Sequence, residues 1–229
     1  MKKFGTILVC LSVMMLAFAG TVQAQNGGFY GALKAGGSWM DQSGPGVSDN
    51  ATSAITTSTD WDDDGALFGA AVGYNWVDMD VPVRTELEYM YHTPIEYKYT
   101  NSSNSTSFKN EITVQTVFVN AAWDWHNDTD FVPYVTAGAG VAIIDEDYSA
   151  SGMTLSSSSD TTTNFAYNVG AGVAWEMTEN WLLDLSYRYE DYGNTSGSVT
   201  GSSTGLTETF DKVKDLSSHN AILGIRYQF

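Results

Sequence analysis

The chain has 229 residues and a formal net charge of −17, with 27 acidic side chains against 10 basic ones. So acidic a polypeptide repels nucleic acid and anionic head groups. Its one cysteine, Cys10, leaves no pair for a disulfide or a thiolate metal site.

Residues 1–24, MKKFGTILVCLSVMMLAFAGTVQA, carry a positive n-region (Lys2, Lys3), an apolar core from Phe4 to Gly20 and a small-residue site at Val22-Gln23-Ala24. That pattern reads as a secretory signal peptide cut after Ala24. The apolar run continues past Cys10, which argues against a lipid anchor there. Residues 25–229 then form one domain with no cysteine, and losing Lys2 and Lys3 takes the charge from −17 to −19. No stretch after residue 24 approaches the ~20 apolar residues that a spanning helix requires.

Alternation of apolar and polar residues predicts eight strands, at 28–39, 65–76, 81–93, 112–125, 132–144, 165–176, 181–191 and 217–229. The connections 40–64, 94–111, 145–164 and 192–216 are long; 77–80, 126–131 and 177–180 are short. Strict alternation of long and short connections implies an up-and-down antiparallel sheet whose two ends meet different surroundings. Outer-membrane barrels have that asymmetry, with short periplasmic turns and longer extracellular loops.

The period of two gives each strand an apolar face and a small or charged one. Strand 81–93 sets Val83, Thr85, Leu87, Tyr89 and Tyr91 against Arg84, Glu86, Glu88, Met90 and His92; strand 181–191 sets Trp181, Leu183, Leu185, Tyr187 and Tyr189 against Leu182, Asp184, Ser186, Arg188 and Glu190. In strand 112–125 Phe118 falls on the face that Asn120 and Asp124 mark as polar. A soluble sandwich or lipocalin-like barrel would bury the apolar face, whereas a membrane barrel turns it to lipid. Trp76, Trp123, Trp125, Trp175 and Trp181 crowd the short-turn end, where an interfacial aromatic girdle belongs. Pro82, Pro94 and Pro133 lie at strand ends, where a missing N–H costs least. These features favour lipid, and the expected fold is all-β: an eight-stranded up-and-down antiparallel transmembrane β-barrel over residues 25–229. An edge left open in hydrocarbon would strand backbone polar groups, so the last strand, AILGIRYQF at 221–229, must pair with the first.

PYVTAGAGVA (133–142), NVGAGVAWEMTENWLLDLSYRYEDYG (168–193) and the closing ILGIRYQF resemble the small eight-stranded outer-membrane β-barrel proteins of Gram-negative bacteria, the group that includes opacity-type surface antigens. The resemblance implies an assembly signal in Leu223, Ile225, Tyr227 and Phe229, read by the barrel assembly machinery. The chain stops at Phe229, so no appended peptidoglycan-binding domain is expected. The family's roles are diverse, so membership leaves the function open.

If the apolar faces point out, Lys34, Arg84, Glu86, Glu88, His92, Asp184, Arg188, Glu190 and Arg226 point in. Charges of both signs in so narrow a barrel should pair, giving a polar plug; a narrow ion or proton pathway is the alternative. Two acidic runs, Asp60-x-Asp62-Asp63-Asp64 and Asp145-Glu146-Asp147, lack the spacing of an EF-hand and read as solvated loops. Ser217, His219 and Asp191 would form a Ser–His–Asp set near the outer leaflet if Trp181 lay opposite Phe229. The rest of a lipid-modifying enzyme's motif is missing, so no enzyme, cofactor or metal is expected. The favoured function is an adhesin-like surface protein acting through four mobile extracellular loops. A narrow channel or small-solute facilitator is second, and a lipid-modifying hydrolase third. Expected partners are outer-membrane lipids and lipopolysaccharide, the assembly machinery and a host or cell-surface ligand; nucleic acid is excluded, and the barrel is expected to be a monomer.

Overall fold

The computed structural model describes residues 27–43, 47–49, 57–61, 64–101, 106–151, 154–155, 159–194, 198–203, 206–211 and 214–229. Among them, eight strands build the wall: β1 (Gly28–Ser43), β2 (Asp64–Asn75), β3 (Val83–Asn101), β4 (Thr106–Asp124), β5 (Phe131–Ser151), β6 (Ser159–Glu176), β7 (Trp181–Asp191) and β8 (Lys214–Gln228). Each pairs antiparallel with its sequence neighbours. The ring closes where β8 meets β1, from Tyr30↔Gln228 to Ser43↔Lys214. Closure leaves no free edge, as a sheet in hydrocarbon requires.

The side chains divide as a membrane barrel demands. Leu33, Leu87, Val119, Phe165, Leu185 and Leu223 are about half exposed on the outside, while Arg84, Glu88, Arg188, Glu190 and Arg226 are buried within. Glycine makes the narrow bore possible. A Cβ on Gly73 would lie 2.3 Å from the Tyr30 ring, and one on Gly138 1.8 Å from Asn120 Oδ1. Both glycines leave room for a large neighbour in the same interior layer.

The strands run further than the sequence suggests at the long-connection end. β3 and β4 continue as a hairpin, pairing down to Asn101↔Thr106, and β5 reaches Ser151. Polarity inverts along them. In β4 Val117 and Val119 face out against Thr116 and Asn120, whereas higher up Ile112 and Val114 are buried and Thr113 and Gln115 face out. Above the water line the outer face must be polar, so the interior takes the apolar residues. That inversion accounts for the mixed pattern of strand 112–125, where Phe118 is wholly buried.

Pro94 does not end β3. The register steps from His92↔Val114 to Ile95↔Ile112, so Thr93 and Pro94 together oppose one residue of β4 in a bulge. A bulge is where proline's missing N–H is tolerated. The bulge also lets His92 and Ile95, three apart, both face inward.

The long connections hold sheet structure of their own. Val47–Asp49, Leu206–Asp211, Ser198–Ser203 and Thr154–Leu155 pair in that order as a four-stranded sheet drawn from the first, fourth and third long connections. Thr57–Trp61 pairs with the far end of β3. This pairing lies in segments that the sequence reading took as mobile loops, and it was not foreseen there. Residues 1–26, and with them the expected signal peptide and Cys10, lie outside the described residues, as do Asp62 and Asp63.

Candidate functional site

The interior is built in layers. Nearest the short turns, Arg84 reaches Asp124 at 3.2 Å and Asp184 at 3.9 Å, and Arg226 Nε meets Asp184 at 3.2 Å. The two guanidinium groups lie over aromatic rings, Arg84 4.1 Å from the Tyr134 centroid and Arg226 5.3 Å from that of Tyr30. Arg84 and Asp124 face each other without a well-aligned hydrogen bond. A void of about 30 Å³ beside Arg84 has room for about one water.

The middle layer is the densest. Lys34 Nζ lies 2.5 Å from Glu86 and 2.5 Å from Glu88. Arg188 grips the Glu88 carboxylate with both terminal nitrogens, Nη2 donating at 3.1 Å, and reaches Glu190 at 3.3 Å. Asn120 donates to Glu86 and Glu88, and Asn168 donates to Asn120 at 2.8 Å across the side of Gly138. Above it Tyr192 donates to Glu190 at 3.1 Å and lies 2.6 Å from Ser218, with His92 Nε2 3.3 Å away. Lys34, Arg84, Glu86, Glu88, His92, Asp184, Arg188, Glu190 and Arg226 all take part in these contacts.

Tyr30, Asn120, Asp124, Asn168, Tyr192 and Ser218 complete the network without having been singled out as site residues. Parity was their signal, since Tyr30 shares a face with Lys34, and Tyr192 follows Glu190 by two. Over this polar half lies an apolar cluster in which Met40, Ile95, Ile112, Val114, Ile144 and Leu216 are each no more than 2% exposed. The interior is thus a charge network below and an oily cap above, rather than polar throughout. Below it, a vestibule of about 340 Å³ opens between the short turns, bordered by Asp124, His126, Glu176 and Arg226.

The outer surface carries the remaining candidates. Trp76, Trp123, Trp125, Trp175 and Trp181 are exposed beside the short turns, Trp175 stacked on Phe131 and Trp181 tilted against Tyr227. Leu223 and Ile225 face out, and Tyr227 and Phe229 meet edge to face. Trp181 lies opposite Tyr227, not Phe229, so β7 is shifted by two residues from the alignment that the Ser–His–Asp set needs. Asp191 faces Ser217, while His219 approaches Tyr187 at 2.6 Å and Asp41 at 3.4 Å.

The acidic run at 145–147 is split by the wall. Asp145 faces out to Gln115 and Thr161, and Glu146 is buried against Asn110. No group of three or more His, Cys, Asp or Glu side chains suited to a metal occurs among the described residues. On the outer face of the β3–β4 extension, Glu96 lies between Lys98 at 2.7 Å and Lys109 at 2.5 Å. Their hydrogen bonds, Lys109's first, pull the Glu96 carboxyl down to about 2.

Comparison with known proteins places this architecture. The family profile described as an outer membrane protein β-barrel domain matches residues 6–229. Outer membrane protein PagN of Salmonella typhimurium is 29% identical over the whole of both chains. A Rickettsia conorii protein provisionally named an adhesin is 29% identical over 54% of this chain and 51% of its own. Among solved structures, outer membrane protein OprG from Pseudomonas aeruginosa superposes with a TM-score of 0.55 at 15% identity, covering 91% of this chain and all of the other. The chain belongs to the outer-membrane protein β-barrel domain family, and it is a barrel of the bacterial outer membrane.

Proposed function

Within that family, we propose that this chain is an adhesin-like surface protein. On this reading it is exported by its signal segment and folded by the barrel assembly machinery through Leu223, Ile225, Tyr227 and Phe229. It contacts host or neighbouring-cell components through its long connections. One observation carries the reading: three of those connections join in a sheet of their own rather than each turning back alone. A cross-connection sheet costs ordering entropy that mere hydrophilic cover need not pay, and a fixed surface loses less entropy on binding than a floppy one. The provisional adhesin name of the Rickettsia relative points the same way. The barrel beneath acts as a rigid pedestal, its charge network and apolar cap resisting deformation.

The test is to replace residues 198–211 with a short turn and assay attachment of expressing bacteria to epithelial cells and to matrix-coated surfaces. The expected result is loss of attachment with normal outer-membrane levels. Undiminished attachment by the shortened protein, or none by the intact one, overturns the proposal.

A further inference from the structure

We propose that the outer wall holds a seat for one acyl chain of a phospholipid from the periplasmic leaflet, running across the closure seam over Gly31. The seat follows one row of outward residues along the hydrogen-bonding direction. Val119 lies opposite Leu87, Leu87 opposite Val72, Val72 opposite Gly31, Gly31 opposite Tyr227, and Tyr227 opposite Trp181. At each position but one a side chain projects towards lipid. At Gly31 none does, and the wall dips into a trough of about 630 Å³.

The dip is bounded on the short-turn side by bulky rings: Phe29 packed edge to face on Tyr74 at 5.0 Å, and Phe229 on Tyr227 at 5.3 Å. Five inter-strand steps of ~4.8 Å give the row an arc of about 24 Å round the wall, long enough for an acyl chain to lie along it. The surroundings choose the occupant. The trough is continuous with the lipid-facing belt, so a hydrocarbon chain enters without leaving the bilayer. It also borders Trp181 and Phe229 at the short-turn end, which in outer-membrane barrels faces the periplasm. A trough there takes its chain from the inner, phospholipid leaflet rather than from lipopolysaccharide. The inference is independent of what the loops bind.

The test is native mass spectrometry of the full chain. The barrel is reconstituted in vesicles of palmitoyl-oleoyl phosphatidylethanolamine and phosphatidylglycerol, then transferred to detergent. Wild type is expected to retain one phospholipid. Gly31→Phe fills the dip from the lipid side and should lower occupancy roughly tenfold, the change that about 1.4 kcal/mol of lost contact produces. Val141→Phe, which adds the same ring elsewhere on the outer wall, should leave occupancy unchanged. Heat-modifiable gel mobility reports folding in each variant. If Gly31→Phe does not fold, Gly31→Leu carries the same expectation with a smaller loss. No retained phospholipid in wild type, or equal retention by the Gly31 and Val141 variants, overturns the proposal.

Discussion

Glu88 is the residue on which the interior depends most. It takes Lys34 on one side and both terminal nitrogens of Arg188 on the other, fully buried. Glu88→Ala would leave Lys34 with Glu86 alone and Arg188 with Glu190 alone, each buried cation short of a partner. Breaking a buried pair from one side costs about 3–5 kcal/mol, so the urea midpoint of the detergent-folded barrel should fall sharply. Leu87→Ala, one residue away on the lipid side, should move it far less. Equal shifts would show that the charges are not packed against each other. Gly138 makes a second, geometric prediction. A methyl group there meets Asn120 Oδ1, so Gly138→Ala should break the Asn168–Asn120 hydrogen bond and strip Glu86 and Glu88 of a donor. Leaving such buried groups unsatisfied costs about 1–3 kcal/mol, again readable in the urea midpoint. At this scale the sequence was informative because parity alone decides whether a residue faces in. It could not reveal which charges meet, since Lys34 reaches Glu86 and Glu88 across the bore from a distant part of the chain.

At the scale of elements, the strand that sequence reads best is β7, found at 181–191 to the residue. It begins just after a short turn and ends where the chain leaves the wall, so one alternation describes its whole length. β3, β4 and β5 were cut short because their pattern inverts above the water line, and because Pro94 looked like a terminator when it occupies a bulge. The β7–β8 register differs by two residues from the one that the Ser–His–Asp set supposes, and alternation could not decide it, since it fixes which face a residue takes but not its height on the neighbouring strand. The β3–β4 extension offers an electrostatic test. Glu96, pulled down to about 2 by Lys109 and Lys98, stays ionised far below the ordinary carboxylate range. A depressed carboxyl favours the folded form above its unfolded value and loses that contribution as pH falls through the folded one. Hydrogen-exchange protection of the hairpin amides, corrected for intrinsic rate, should therefore hold from pH 7 to about 5 and decline progressively as pH falls from the ordinary carboxylate value to about 2. Complete loss already at pH 4 would contradict the pairing. Deleting Phe229 removes the N–H that bonds the Phe29 carbonyl at 3.0 Å and one ring of the terminal pattern. Lower outer-membrane levels are expected, and normal levels would remove the assembly role proposed for that residue.

For the whole molecule, the closed ring, the inward charges and the outward apolar belt form one consistent arrangement. Its bore runs from a vestibule at the short turns, through a polar network, to an apolar cluster. A bore so filled should give no discrete single-channel steps in planar bilayers; regular steps would favour the facilitator reading. The register of β7 on β8 likewise argues that lipid A composition stays unchanged on expression, with or without His219→Ala. Both expectations follow from orientation, which is tested most directly along β5. Nitroxide labels placed singly at 134, 135, 136, 137, 139, 141 and 142, in bilayer-embedded protein, should show high oxygen accessibility at Val135, Ala137, Ala139 and Val141. Accessibility should be low at Tyr134, Thr136 and Ala142. A reversed alternation, or none, would contradict a barrel that turns its apolar face to lipid.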